Sequence, residues 1–205
     1  MKYPTRAEAE AILKTAYEKD PNTWLTHCRN TARAAEAIAE KSGLDAEKAY
    51  FCGLFHDIGY SEFKNGKGKS CHIILGYNMM KEHGYDELAR ICLTHSFTYR
   101  DIKGYGGSDL GYCDADEIAF IEAFLSDAVY DEYDKLIQLC DSLGTADGIM
   151  AMEERWVGVV MRHGFHVLTI EKWAATYEIK HHFDRLCGTN IYNLFREEIS
   201  ASVFK

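Results

Sequence analysis

His27, His56, Asp57, His72, His95 and Asp141 are of the two kinds of side chain that divalent metals favour. Imidazole and carboxylate together suit a borderline-to-hard cation such as Fe, Mn or Zn. His56 and Asp57 stand side by side at the end of the apolar run Ala49–Phe55, with Gly59 read as the stop of that helix. Packing does not call for a polar pair at the end of such a run. For any one of these histidines alone, an ordinary core or surface role is the simpler reading. All six, however, lie on or at the end of a predicted helix, on its apolar side wherever that side can be judged. Ionisable groups there are costly unless paired, hydrogen-bonded or metal-bound. A helical bundle lined in this way can hold a dinuclear metal centre.

The elements that must position these groups are legible as helices. Thr5 is a plausible N-cap for a helix to Lys19 with Ala9, Ile12, Leu13, Ala16 and Tyr17 on one face. Asn22 or Thr23 caps a second helix to Ser42-Gly43, whose stripe holds Trp24, His27, Thr31, Ala35 and Ile38. Asp45 caps a third, ending at His56-Asp57. The polar segment from Tyr60 to Ser70 reads as a loop. Further helices are expected from Cys71 to His83, stopped by Gly84, and from Asp86 through His95. The glycine-containing stretch 97–113 reads as a long loop or lid. Helices over 114–129 and 135–144 follow, the latter carrying Asp141 near its end, with two or three more after residue 149. No strand alternation and no internal repeat is visible, so the expected fold class is all-α. The chain is expected to form a single unit, with a metal-binding core over about 20–150 and C-terminal helices over about 151–205 packing on it.

Composition bounds the function. With 32 acidic and 23 basic residues the formal charge is −9, which argues against an extended nucleic-acid surface. A small phosphorylated substrate stays possible, because bound metals can supply local positive charge. Seven cysteines without a CxxC pair, mostly in apolar helical runs, read as free thiols of a reducing compartment. The start Met1-Lys-Tyr-Pro-Thr-Arg has no apolar signal core, and no apolar run reaches the ~18 residues of a membrane span. A soluble, cytoplasmic protein with no membrane partner is expected.

The ordered set His27 … His56-Asp57 … His72 … His95 … Asp141 resembles the HD-domain superfamily of metal-dependent phosphohydrolases, over roughly residues 20–150. His56-Asp57-Ile58-Gly59 is similar to its HDIG variant, and His72-Ile-Ile-Leu-Gly76 to the HxxxG start of the helix supplying a further ligand in dinuclear members. The resemblance implies a helical bundle with His27, His56, Asp57 and Asp141 on one metal. Asp57 would bridge to a second metal held by His72 and His95. Asp57, His72 and His95 are therefore the candidate catalytic residues. The cofactor would be two divalent ions, Fe or Mn foremost, with Zn, Mg, Co and Ni as other possibilities. The implied reaction is attack of a metal-bridged hydroxide on the phosphorus of a nucleotide or other small phosphate ester or anhydride.

One position departs from the pattern. HDIG proteins often carry lysine directly after the glycine, as a phosphate ligand, and Tyr60 stands there instead. Lys64, Lys67, Lys69, Arg100 and Lys103 are the candidates to bind substrate in its place, and Glu62 is a candidate proton shuttle. Gly68-Lys69-Ser70 ends like a phosphate-binding loop, but Phe63 occupies the place of its first glycine. His163, His166, His181 and His182 are read as structural or surface residues. Tyr99, Tyr105 and Tyr112 in the 97–113 stretch could cover a base, which favours a nucleotide. Two other readings use the same residues: an HD-fold mixed-valence di-iron oxygenase, and a non-catalytic nucleotide-binding HD module. The C-terminal helices, with Trp156, Val159, Val160 and Phe165, could complete the bundle, cap a pocket or form a homodimer surface.

Overall fold

The computed structural model describes residues 3–63, 70–105 and 109–203. The order of elements is α1 (Arg6–Lys19), α2 (Trp24–Ser42), α3 (Ala46–Phe55), α4 (Tyr60–Phe63), α5 (His72–Glu82), α6 (Asp86–Thr94), α7 (Ala115–Asp127) and α8 (Glu132–Leu143). A two-stranded antiparallel pair follows, β1 (Gly144–Thr145) and β2 (Gly148–Ile149), then α9 (Met152–His163), α10 (Thr169–Cys187) and α11 (Arg196–Val203). The fold is all-α, the strand pair being a turn of two residues on each side.

Local chemistry accounts for most boundaries. Thr5 and Glu8 form a reciprocal capping box at the start of α1, and Asp114 and Glu117 form another at α7. Asp45 accepts from Lys48 N at the start of α3. Asp131 accepts from the amides of Tyr133 and Asp134, so α8 begins at Glu132, earlier than its apolar pattern indicates.

Two expectations are corrected. Gly59 does not stop the chain. Backbone N–H groups of Tyr60, Ser61 and Glu62 donate hydrogen bonds to Asp57 O (3.1 Å), Ile58 O (3.0 Å) and Gly59 O (3.0 Å) and continue the helical path into α4, where a loop was expected from Tyr60. Gly59 is needed for close approach instead: a Cβ there would lie 2.6 Å from Gly76 N and nearer still to His72 O. The second correction concerns 97–113. Among its described residues Phe97 and Tyr105 are buried together with Ile73, Leu93 and Ile121, while Tyr99, Lys103 and Tyr112 are exposed, and short 3₁₀ turns form at Ile102–Gly104 and Asp109–Tyr112.

The core lies where α2, α3 and α8 meet. Gly53 of α3 lets the two backbones touch, since a Cβ there would sit 2.7 Å from Ala32 Cα. α6 packs against both α5 and α3, α5 also meets α4, and α10 lies across α2 and α8. A buried polar knot ties α6 to α8. Asp134 is fully buried and accepts from Thr94 Oγ1 (2.7 Å) and Arg90 Nε (3.1 Å), while Gln138 Nε2 donates to Thr94 O (3.0 Å). That knot holds the C-terminal end of α6, and so His95, against the helix bearing Asp141.

Candidate metal centre

The bundle brings all six candidate ligands to one place from five parts of the chain. His27 comes from the first turns of α2, His56 and Asp57 from the end of α3, and His72 from the first residue of α5. His95 closes α6, and Asp141 lies in the last turn of α8. His56, Asp57, His72 and His95 are buried, while Asp141 and His27 are partly so.

Asp57 is the hub, and its two oxygens face different partners. Oδ2 lies 3.4 Å from His27 Nε2 and 3.5 Å from His56 Nε2. Oδ1 lies 3.2 Å from both His72 Nε2 and His95 Nε2. Asp141 Oδ1 completes the first group, 3.1 Å from His27 Nε2 and 3.7 Å from His56 Nε2. Within the groups, His27 and His56 Nε2 are 3.1 Å apart and His72 and His95 Nε2 3.5 Å.

Each ring is held from behind, so that Nε2 is the atom turned inward. His27 Nδ1 lies 3.0 Å from Gly144 O, His56 Nδ1 2.7 Å from Gly53 O and His95 Nδ1 3.1 Å from Ile91 O. His72 Nδ1 shares a 3.1 Å hydrogen bond with Tyr105 Oη. Outer partners of this kind fix tautomer and ring orientation in metal sites. The donor set fits divalent cations: the converging atoms of His27, His56 and Asp141, and those of His56, Asp57 and His95, lie within 4.8 Å of one another.

The electrostatics agree. Burial alone would raise the Asp57 carboxyl, but the charge of His56 and hydrogen bonds from His27, His72 and His95 hold it well below the usual range. Burial would likewise raise Asp141, and Arg155 with His27 and His56 overcomes it. Burial lowers His27, yet bonds to Asp141 and Asp57 leave it raised overall. His95 stays lowered, chiefly by burial. Both carboxylates are therefore ionised and ready to bind a cation.

Two cavities meet at Asp57, Tyr60, Arg155 and Val159. One, of about 310 Å³, lies over His72, His95 and Asp141 and is walled by α9 and α10. The other, of about 860 Å³, opens beside His27 and the start of α2.

A family model for the HD domain matches residues 24–146. The chain belongs to the HD domain family. The match spans all six candidate ligands and ends before α9 and α10. Among curated proteins, ribonuclease Y of Mycoplasma capricolum is 36% identical over 69 residues, 34% of this chain and 13% of that protein. Ribonuclease Y of Mesoplasma florum is 36% identical over 64 residues, 31% of this chain and 12% of that protein. This chain thus matches about an eighth of the length of these relatives. No solved structure matches it.

The HD core carries the predicted ligands, but the two predicted substrate cations among the described residues, Arg100 and Lys103, lie elsewhere. Arg100 donates to Ala128 O at 2.6 Å and lies over Tyr130, away from both cavities. Lys103 is exposed on a 3₁₀ turn. Lys64, Lys67 and Lys69 lie outside the described residues. Glu62 pairs with Lys19 rather than facing the centre. Tyr105 is buried behind His72, so it supports a ligand and does not stack on a base, while Tyr99 and Tyr112 are exposed.

The cations that line the smaller cavity are Arg155 and Lys172, from α9 and α10. Arg155 Nη2 reaches Asp141 Oδ1 at 3.2 Å, and its Nη1 donates to Gly144 O. Lys172 Nζ donates to Ser96 O at 3.0 Å. Each cation directly precedes a tryptophan, Trp156 or Trp173, and those rings stack with centroids 5.2 Å apart. That repeated pairing is the signal by which the sequence could have pointed to both. His163 and His166, read as structural or surface residues, stand at the mouth of the same cavity. His182 bonds Glu132 at 2.5 Å, and His181 packs near Tyr177. Among the described residues, no helix is long and apolar enough to cross a membrane.

Proposed function

We propose that this protein is a metal-dependent hydrolase of phosphate esters or anhydrides, acting on a nucleotide or another small phosphorylated metabolite. The observation that carries the proposal is the division of Asp57, one oxygen toward His27 and His56 and the other toward His72 and His95. A carboxylate so shared suits two cations side by side. Asp141 would complete the first ligand group.

Bound divalent ions would supply Lewis acidity toward phosphoryl oxygens and a nucleophilic water at neutral pH. The protein's own residues do the rest. The back-side hydrogen bonds to the four rings keep the ligands oriented before metal or substrate arrives. Arg155 holds Asp141 in place and adds positive charge beside the cavity, where it would offset charge developing on phosphorus-bound oxygens. The walls of α9 and α10 restrict water around the reacting group.

The cavity of about 310 Å³ is at the small end of the range for small-molecule sites. With a formal charge of −9 the chain is poorly suited to gripping a long phosphate backbone. The charge favours a compact substrate, and the smaller of the two cavities that meet at Asp57 is sized for one end of it. The name of the ribonuclease Y relatives is compatible with phosphoester cleavage by an HD core. The test is hydrolysis of nucleotides, cyclic phosphodiesters and dinucleoside polyphosphates, read by separating the products, by protein loaded with Fe²⁺ or Mn²⁺. Metal-dependent turnover that is lost in Asp57→Ala supports the reading. Metal-loaded protein that hydrolyses none of these substrates but consumes O₂ would replace it with the oxygenase reading.

A further inference from the structure

Lys172 stands out among the cations near the centre because its charge is not spent on a carboxylate. Arg155 is committed to Asp141 and to Gly144 O. The hydrogen bond recorded for Lys172 among the described residues is to a neutral carbonyl, Ser96 O, at 3.0 Å. An ammonium has three N–H donors, so this one acceptor leaves donor capacity for the cavity that Lys172 lines. Its position is also fixed relative to the ligands: Ser96 follows His95, and Ser96 Oγ lies 3.0 Å from His95 Nε2. Lys172 is thereby tethered next to His95 and lies within electrostatic reach of Asp141. Burial and the nearby Arg155 charge lower its pKa, and Asp141 only partly offsets them. A half-buried ammonium in that setting gains from an anionic guest.

We infer that Lys172 is the third point of a receptor whose other two points are the metal half-sites on either side of Asp57, and that this receptor selects a terminal phosphoryl group. The inference rests on the phosphohydrolase reading above. Its chemistry is a count of oxygens. A phosphomonoester, or the end of a phosphoanhydride, offers three non-bridging oxygens and two negative charges. An internal phosphodiester offers two and one. Two half-sites and one separate ammonium match the first set, and a diester would leave the ammonium without a partner. Beyond the phosphate, Trp156, Val159, Val160 and Trp173 form an apolar wall for a compact organic portion. Both Lys172 and that wall lie outside the stretch matched to the HD family model, so the preference belongs to the C-terminal helices of this chain.

The test is calorimetric binding to metal-loaded protein, with methylphosphonate as the three-oxygen probe and dimethyl phosphate as the two-oxygen monoanion. The wild type is expected to bind methylphosphonate at least about ten-fold more tightly, the usual scale of one charge-assisted hydrogen bond. Lys172→Met should weaken methylphosphonate about ten-fold and leave dimethyl phosphate within about two-fold, while Lys172→Arg restores part of the loss. Metal content and melting temperature of each variant show that the centre is intact. Equal weakening of both probes, or no change for either, would overturn the role of Lys172 and leave the hydrolase reading standing. If neither probe binds the metal-loaded wild type, the phosphohydrolase reading itself falls.

Discussion

Tyr60 lies flat against the imidazole of His72, ring centroids 4.1 Å apart and planes within 8°. The position where HDIG proteins often place a lysine is thus used here to brace a candidate ligand rather than to contact phosphate. His72 is then held on two sides, by Tyr60 on its face and Tyr105 at Nδ1.

Removing that brace should act on one half of the centre. Tyr60→Ala is expected to weaken metal binding at the His72 and His95 side about ten-fold, the scale found for outer partners of ligands, and to leave the His27 side near normal. Tyr60→Phe keeps the stacked ring and should behave like the wild type. Metal titration of the two variants checks this, and an equal effect of both would assign the loss to the hydroxyl.

Gly59 should tolerate nothing larger. In Gly59→Ala the new Cβ meets the backbone of His72 and Gly76, which cannot yield as a flexible side chain would. The expected cost is about 3 kcal/mol or more, at the upper end of overpacking. Gly111, with open space around it, is the control: Gly111→Ala should stay within about 0.5 kcal/mol. Denaturant melts of the two variants decide the matter.

The Asp134 knot is a stability element rather than part of the centre. Asp134→Ala leaves Arg90 and Thr94 without their buried acceptor. A loss of about 3 kcal/mol is expected, from the usual cost of breaking a buried ion pair. Thermal unfolding would read it as a drop of roughly 6–12 °C for a chain of this size. A shift under about 2 °C would show that the knot contributes little.

Cysteine reactivity should be confined and pH-dependent. Hydrogen bonds from Cys71 bring the Cys113 thiol down to about 7 against the opposing effect of burial, with help from Ser70. A lowered pKa places the thiolate above that pH, so alkylation of Cys113 should rise through pH 7 and fade below about 6. Cys28, Cys52, Cys92, Cys140 and Cys187 are raised by burial and should stay unlabelled in folded protein. Peptide mapping after brief iodoacetamide treatment at pH 6, 7 and 8 tests both statements. Labelling spread evenly over the seven would contradict them.

Much of the fold was legible because helix signals are local. The caps at Thr5 and Asp45 and the stripe through His27 and Ile38 needed no tertiary information. The six converging residues could be picked out for a related reason: each puts an ionisable group on an apolar face, where it has to be satisfied. What was misread depends on contacts between distant segments. Gly59 looks the same in sequence whether it ends a helix or admits a neighbouring backbone, and only the approach of α5 decides. The 97–113 stretch looked like a lid until Phe97 and Tyr105 were seen against Ile73 and Leu93. Arg155 and Lys172 escaped notice because the way α9 and α10 lie over the core is set by packing, not by any periodicity within them.

The account stands on Asp57 serving two metal sites at once, and metal stoichiometry tests that most directly. Protein purified anaerobically, without chelator or affinity nickel, should hold about two divalent ions per chain, as a two-metal clamp requires. His95→Ala should hold about one, and Asp57→Ala neither, because both half-sites lose their shared oxygen donor. Two ions retained in His95→Ala, or one retained in Asp57→Ala, would contradict the shared-carboxylate centre.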